Sequence, residues 1–224
     1  MRIPVIYSKI AKGKFYAGRP VLYNKSAGLR DMVPFSKMEV LKPQAERAVD
    51  LVVDVASINQ NRFNSVFVEK IKIPGNDVWL MEAIRTTSDV LDAFMGSISK
   101  LLIPCQTIRS WTVLSEAFSL SEDCIPTIVC HCGQAYVLGG RFDVDRIVEK
   151  LLDIGYHQLA VLDLDAALPV ETWKHLADMH LGIIPYNHSE ELDKFGFLDY
   201  AVDPKGFTPI EDEHPDCPKA DRDL

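Results

Sequence analysis

The sequence lacks the features that direct a protein to nucleic acid or into a membrane. Its 224 residues carry 24 Lys and Arg against 32 Asp and Glu, a net charge of −8, whereas binding to polyanions requires a basic surface. No apolar run approaches the roughly 18 residues that a membrane-spanning helix needs. The first residues contain neither an apolar signal-peptide core nor a small-residue cleavage site. These absences predict a cytoplasmic protein with no nucleic-acid or membrane partner.

Cysteine is also scarce, and its spacing lacks the most common zinc signature. The chain has five cysteines and no Cys-x-x-Cys pair. In a cytoplasmic chain, a few cysteines are more typical of reduced thiols than of a disulfide framework. We therefore expect all five to be reduced thiols.

Short apolar runs recur along the chain at intervals of roughly 20 to 30 residues, the repeat expected of a strand followed by a helix. Seven of them span residues 51–54, 78–82, 101–105, 126–130, 158–163, 181–185 and 197–203, and an eighth candidate, residues 3–7, opens the chain. Such alternation predicts a single-domain (β/α)8 TIM barrel over residues 1–203. Reactive groups of such barrels lie at the carboxyl ends of the strands.

Most segments between the runs have amphipathic helical patterns. The clearest is 143–154, which has an apolar stripe and is followed by Gly155. Further helices are expected at 40–49, 64–71, 90–98, 110–120, 169–179 and 189–195. We expect residues 12–37 to form a long first loop. Residues 204–224 are acidic and proline-rich, and predict a C-terminal tail that is disordered or lies on the surface.

Several runs resemble the histidine-biosynthesis barrel family, the HisA and HisF enzymes. Residues 3–6 resemble the family's opening strand, and 53–55 (Val-Asp-Val) its second-strand Val-Asp-Leu-Asp. Residues 83–86 (Ala-Ile-Arg-Thr) resemble its Gly-Ile-Arg-(Ser/Thr), and 162–164 (Leu-Asp-Leu) its sixth-strand Thr-Asp-Ile. The resemblance extends over residues 1–195 in order and spacing. It implies a barrel enzyme of the isomerase or cyclase type.

The chain departs from that family at the positions that bind phosphate and transfer protons. The family's first-strand catalytic Asp falls on Tyr7, while its sixth-strand Asp is kept as Asp163. Its phosphate-binding glycines fall on residues 81–83 and 186–187, where side chains fill the space that backbone N–H groups need. An ionised Glu82 would also repel a phosphate. A bisphosphorylated histidine precursor is therefore not expected.

The chain is similar to diverged relatives of this family that accompany tetrahydromethanopterin-dependent one-carbon metabolism in methanogens and methylotrophic bacteria. That resemblance implies an isomerase or lyase in one-carbon or cofactor metabolism. A small polar or anionic molecule is then the expected substrate, with no cofactor.

Three residues are the candidates for acid–base catalysis. Asp163 and Asp54 each end a buried apolar run, where an unpaired carboxylate costs several kcal/mol. Each must therefore bind loop N–H groups, pair with a cation or reach the mouth of the barrel. His131 is the third candidate. The predicted substrate-binding residues at the mouth are Arg85, as anchor of an anionic group, and Glu82, Gln106, Thr107, Tyr7, Lys9, Asn187 and His188.

Two alternatives stay open at this point. A metal-dependent hydrolase or lyase would bind zinc through Cys130, His131, Cys132 and His188, although a buried cysteine more often only packs. A catalytically degenerate barrel would instead serve as a scaffold or partner subunit. A mouth filled by Tyr7, Met81 and Tyr186 would favour the scaffold, and an open polar pocket would favour an enzyme. Homo-oligomerisation is left open.

Overall fold

The structure is a computed structural model, and it describes residues 2–11, 14–17, 21–22, 29–30, 36–37, 49–71, 77–163, 166–186 and 190–202. The strands in these residues are β1 Arg2–Ala11, β2 Lys14–Ala17, β3 Val21–Leu22, β4 Leu29–Arg30, β5 Ser36–Lys37, β6 Val49–Asp54, β7 Asp77–Met81, β8 Lys100–Pro104, β9 Cys124–His131, β10 Gln134–Val137, β11 Gly140–Phe142, β12 Gln158–Asp163, β13 Gly182–Tyr186 and β14 Tyr200–Val202. The α-helices are α1 Val55–Gln60, α2 Ser65–Lys70, α3 Thr87–Phe94, α4 Trp111–Leu120, α5 Val144–Ile154 and α6 Val170–Asp178, and a 3₁₀ helix spans Glu190–Phe195.

Eight strands close into a barrel in which all neighbours are parallel. Their order is β1, β6, β7, β8, β9, β12, β13 and β14, and β14 pairs with β1 to complete the ring. Closure leaves no barrel strand with an unpaired edge, so the backbone groups of these buried segments are satisfied by their neighbours.

Side chains along each barrel strand alternate between two apolar cores. In β6, Leu51 and Val53 belong to the cluster inside the barrel, whereas Val52 belongs to the cluster between the barrel and the helices. Because both faces are buried, the strands read as nearly continuous apolar runs. The apolar runs predicted from the sequence therefore coincide with the barrel strands.

The predicted (β/α)8 TIM barrel is wrong, because helices do not alternate one to one with strands. The described residues contain six α-helices, and two of them, α1 and α2, share the connection from β6 to β7. The described part of the connection from β13 to β14 contains only the 3₁₀ helix Glu190–Phe195. The helix expected at 189–195 is thus a 3₁₀ helix. The helix expected at 40–49 lies outside the described residues except for Val49, which begins β6.

Antiparallel strand pairs form within the predicted first loop and after β9. The described parts of the predicted first loop include β2, which pairs antiparallel with β1 and with β5. After β9, Cys132 and Gly133 have positive φ angles of 53° and 70°, the backbone of a two-residue hairpin turn. That turn returns the chain as β10 alongside β9. The period-based expectation missed this hairpin because turn chemistry, not apolar spacing, produces it.

Other expectations for the framework are confirmed. Helix α5 follows the predicted 143–154 segment closely and ends at Gly155. None of the helices in the part of the chain described here has the length and apolarity to cross a bilayer. The predicted tail, residues 204–224, lies outside the described residues.

The end of α5 provides a test of this packing. Gly155 has a φ of 115°, and a Cβ there would lie 2.8 Å from Cε1 of Phe118. Gly155→Ala is expected to lower the free energy of unfolding by about 2–4 kcal/mol, through backbone strain and overpacking. Gly139→Ala is the matched control, because Gly139 has a φ of 81° and no atom within 4 Å of its added Cβ. It should cost about 1–2 kcal/mol.

Urea denaturation of both variants measures the difference. Equal losses in the two variants would contradict the close approach of residue 155 to the Phe118 ring.

Candidate functional site

Two carboxyl groups, Asp54 and Glu82, lie together at the carboxyl ends of the neighbouring strands β6 and β7. Both side chains are completely buried. Asn64 joins them: its side-chain Nδ2 donates to Asp54 Oδ2 at 2.9 Å, and its backbone N–H donates to Glu82 Oε1 at 2.5 Å. We call Asp54 and Glu82 the carboxyl pair. It lies on the helix side of the barrel wall, because Asp54 shares a strand face with Val52.

Local capping explains why the chain folds in this way around the pair. Asp54 is the N-cap of α1, and its Oδ1 accepts the backbone N–H groups of Ala56 at 3.0 Å and Ser57 at 3.1 Å. Asn64 is the N-cap of α2, where its Oδ1 accepts the N–H of Phe67 at 3.2 Å. Two short helices in one connection thus provide two caps, and both caps contact the pair.

Asp54 has three hydrogen-bond donors for its two oxygens. Burial raises the pKa of Asp54 above its ordinary value of 3.8, while the hydrogen bonds from Ser57, Asn64 and Ala56 act in the opposite direction. The donors stabilise the ionised form, so Asp54 is the member of the pair better equipped to hold a negative charge.

Glu82 accepts fewer hydrogen bonds than Asp54 from the described residues. Its Oε1 accepts one hydrogen bond from Asn64, and its Oε2 is buried with no hydrogen-bond partner in the described part of the chain. Burial, reinforced by the negative charge of Asp54, raises the pKa of Glu82 from 4.5 to about 9. Glu82 is therefore a neutral carboxylic acid at pH 7. Because Oε1 accepts the bond from Asn64, the proton belongs on Oε2.

The mouth of the barrel lumen is filled by large side chains. Tyr7, Met81 and Tyr186 are each 3% exposed, and the rings of the two tyrosines meet edge to face with centroids 6.2 Å apart. Lys9, two residues beyond Tyr7 on β1, is partly buried. His131 is also partly buried, and its ring lies 6.3 Å from that of Tyr136 on the returning strand β10.

Asp163 lies apart from the carboxyl pair. Strands β13, β14 and β1 separate β12 from β6 in the barrel. The Asp163 oxygens accept the backbone N–H groups of Ala167 at 3.2 Å and Leu168 at 3.1 Å. Asp163 thus stabilises the loop that precedes α6. The structure does not bring Asp163 together with Asp54 or Glu82.

The remaining predicted substrate-binding residues are Arg85, Thr107, Gln106, Asn187 and His188. Arg85 is partly buried, and its Nε has no hydrogen-bond partner among the described residues. Thr107 is buried; its hydroxyl donates to the Pro104 carbonyl at 2.8 Å and accepts from the Ile84 N–H at 3.4 Å. Gln106 is partly buried. Asn187 and His188 lie outside the described residues.

Among the described cysteines, Cys132 differs from its expected state. Cys132 is disulfide-bonded, so the prediction that all five cysteines are reduced thiols is wrong. Cys105, Cys124 and Cys130 are buried and not disulfide-bonded, and burial raises the pKa of both Cys105 and Cys124 to about 12. These two thiols are therefore not nucleophiles at neutral pH.

The predicted zinc ligands are not assembled in the described residues. Cys130 packs in the outer apolar core, and a disulfide-bonded Cys132 is not a thiolate. His188 lies outside the described residues. Among those that are described, no group of three or more His, Cys, Asp or Glu side chains could hold a metal ion.

Sequence reasoning missed Asn64 and Ser57, which complete the site. Asn64 stands one residue before α2, where an N-cap is favoured, and this position was the available signal. Ser57 Oγ accepts the N–H of Ala83 at 2.7 Å, which fixes the backbone beside Glu82. Nothing in the spacing of Ser57 distinguishes it from an ordinary helical serine.

The raised pKa of Glu82 has a consequence for stability. The unfolded chain ionises Glu82 near pH 4.5, whereas the folded chain keeps the proton to about pH 9. Stability from this group is therefore complete below pH 4.5 and is lost as the pH rises towards 9. Glu82→Gln removes the titration and keeps the shape, so its stability relative to the wild type should improve by several kcal/mol between these pH values.

Urea denaturation midpoints across this pH range measure the effect. Glu69→Gln, at an exposed position of α2, is the control and should follow the wild type. A Glu82→Gln profile parallel to the wild type would show that Glu82 ionises normally.

Comparison with known proteins adds no family to these observations. No protein-family model matches the sequence, and no curated protein matches it significantly.

Proposed function

We propose that this protein is an enzyme that acts on a small polar or anionic substrate by acid–base isomerase or lyase chemistry. The observation that carries the proposal is the carboxyl pair: Glu82 has a pKa of about 9 and a buried Oε2 with no hydrogen-bond partner among the described residues, and it lies beside the hydrogen-bonded Asp54. A general acid or base works best when its pKa lies near the working pH. Two carboxyl groups with different environments can divide the acid and base roles.

In the proposed mechanism, Glu82 donates the proton on Oε2 to the substrate and later recovers it. After donation, the Glu82 carboxylate is buried beside Asp54, and the repulsion between the two charges favours return of the proton. Asn64 positions both groups. Glu82 is completely buried, so the proposal requires a path by which a substrate reaches Oε2. Arg85, whose Nε has no hydrogen-bond partner among the described residues, is proposed to bind an anionic group.

The metabolic setting rests on the resemblance alone. The similarity of residues 53–55 and 83–86 to the histidine-biosynthesis family supports a role in one-carbon or tetrahydromethanopterin-type cofactor metabolism. The acid–base route uses side chains of the chain and calls for no cofactor. The zinc alternative has less support, since Cys132 is disulfide-bonded; metal analysis of the purified protein tests it.

The expected setting in the cell is also part of the proposal. The proposed location is the cytoplasm, and a net charge of −8 argues against a nucleic-acid partner. The disulfide at Cys132 is the observation that weighs against a reducing compartment. Fractionation of the source cells decides between the two.

A second candidate function is that of a catalytically inactive partner subunit. The filled lumen mouth, with Tyr7, Met81 and Tyr186 each 3% exposed, favours it. Exposed apolar side chains on α3 and directly after it, Leu91 at 52% and Met95 at 87%, offer a surface for such a partner or a second copy.

The enzyme proposal is tested by incubating the protein in D2O with a panel of small sugar phosphates and oxo acids, and following deuterium incorporation by mass spectrometry. Wild-type protein should incorporate deuterium into at least one compound. Glu82→Gln should lower that rate by roughly 10²–10⁴-fold, the usual contribution of a general acid or base. Glu69→Gln should leave it unchanged.

Asp163→Asn separates the two carboxylate candidates. A rate that falls with Asp163→Asn and not with Glu82→Gln would move the acid–base role to Asp163. No incorporation into any compound by the wild type would contradict the enzyme proposal and favour the partner subunit.

A further inference from the structure

A small polar cavity lies outside the barrel lumen, between β1 and the segment that joins α1 to α2. Its volume is about 280 Å³, and the side chains that line it include Ile10, Ser57, Gln60, Arg62, Asn64 and Ser65. We call it the side pocket. This volume is at the small end of the range for ligand sites, and suits a small metabolite or one group of a larger one.

The charge of the side pocket differs from that of the whole chain. Arg62 is one of its lining residues, and none of the described residues that line it is Asp or Glu. The protein as a whole has a net charge of −8. Arg62 is exposed, and its planar guanidinium can donate two parallel hydrogen bonds to a carboxylate or phosphate.

Two other lining groups have a hydrogen to donate. Ser57 Oγ accepts the N–H of Ala83 at 2.7 Å, and its own hydroxyl hydrogen can be directed to a ligand. Asn64 Oδ1 accepts from Phe67, and one hydrogen of its Nδ2 goes to Asp54, which leaves the second Nδ2 hydrogen for a ligand. Both groups can therefore donate to an acceptor in the side pocket.

The positive charge of Arg62 and the hydrogen-bond donors of Ser57 and Asn64 together define the class of ligand. We infer that the side pocket binds a small oxyanion, the carboxylate or phosphate group of a metabolite, through Arg62, Ser57 and Asn64. An oxyanion supplies only acceptors, which matches a pocket of donors, and it carries the charge that Arg62 complements. The hydroxyl of Ser65 and the amide of Gln60 provide further donors at the rim.

The inferred site is distinct from the carboxyl pair but shares Asn64 with it. Asn64 lines the side pocket and bonds both Asp54 and Glu82. Oxyanion binding requires no proton transfer, so the inference holds or fails independently of the proposed acid–base role. If both are correct, the oxyanion is the substrate group that anchors next to the proton donor.

Isothermal titration calorimetry with two probes, inorganic phosphate and succinate, tests the inference at constant ionic strength set with chloride. The wild type should bind at least one probe saturably with one site per chain, and the tighter probe identifies the class of oxyanion. Arg62→Gln should weaken binding about tenfold or more, the contribution expected of a charge-assisted bidentate contact. Arg62→Lys, which keeps the charge, should recover part of the loss.

Two matched variants complete the experiment. Arg109→Gln removes an exposed arginine elsewhere and should bind as the wild type does. Glu69→Gln, at an exposed position of α2, should also bind as the wild type does. Absence of saturable binding of either probe, or equal affinity in Arg62→Gln and Arg109→Gln, would overturn the inference. Loss of exchange in Glu82→Gln without phosphate or succinate binding would leave the acid–base proposal standing alone.

Discussion

The proposed site depends on the limited charge that a buried pair of carboxyl groups can hold. Asp54 and Glu82 are both completely buried and share Asn64 as a hydrogen-bond partner, so two negative charges there would repel each other in a region of low dielectric constant. Among the residues that the structure describes, Asp54 has two backbone donors in addition to Asn64, whereas Glu82 accepts only from Asn64. The difference in donors assigns the charge to Asp54 and the proton to Glu82.

The barrel and its irregular connections together create this arrangement. Parallel pairing makes β6 and β7 neighbours, and their carboxyl ends therefore bring Asp54 and Glu82 to the same edge of the barrel. A single regular helix between these strands would have one N-cap. Two short helices have two, and the second, Asn64, binds both carboxyl groups. The departure from strict strand–helix alternation is thus what completes the candidate site. The same segment also forms one wall of the side pocket.

The framework was largely predictable from the sequence because the strands are buried on both faces. Continuous apolar runs such as those of β8 and β12 follow directly from that burial. The positions of the helical connections were less predictable. The Cys132–Gly133 turn begins a hairpin because of its positive φ angles, and apolar spacing carries no information about backbone angles. The prediction of regular alternation failed at such points.

The candidate site was predictable only in part. Asp54 was identifiable as a candidate because a carboxylate at the end of an apolar run requires an explanation, whereas Glu82 was predicted only to bind substrate. The contact between Asp54 and Glu82 was not predictable, because Asn64 joins them from a different segment. Asp163 has the same local sequence context as Asp54, yet in the barrel β13, β14 and β1 lie between their strands. Whether such a carboxylate holds a loop or joins a site depends on neighbours that only the folded chain defines.

The protonation state of Glu82 is the central claim, and carbon-13 NMR of the glutamate side-chain carboxyl carbons tests it most directly. A resonance that titrates with a pKa of about 9, and that is absent from Glu82→Gln, is the predicted result. If every glutamate carboxyl titrates below pH 6, Glu82 is ionised at neutral pH. The buried acid then does not exist, and the proposed proton donor is contradicted.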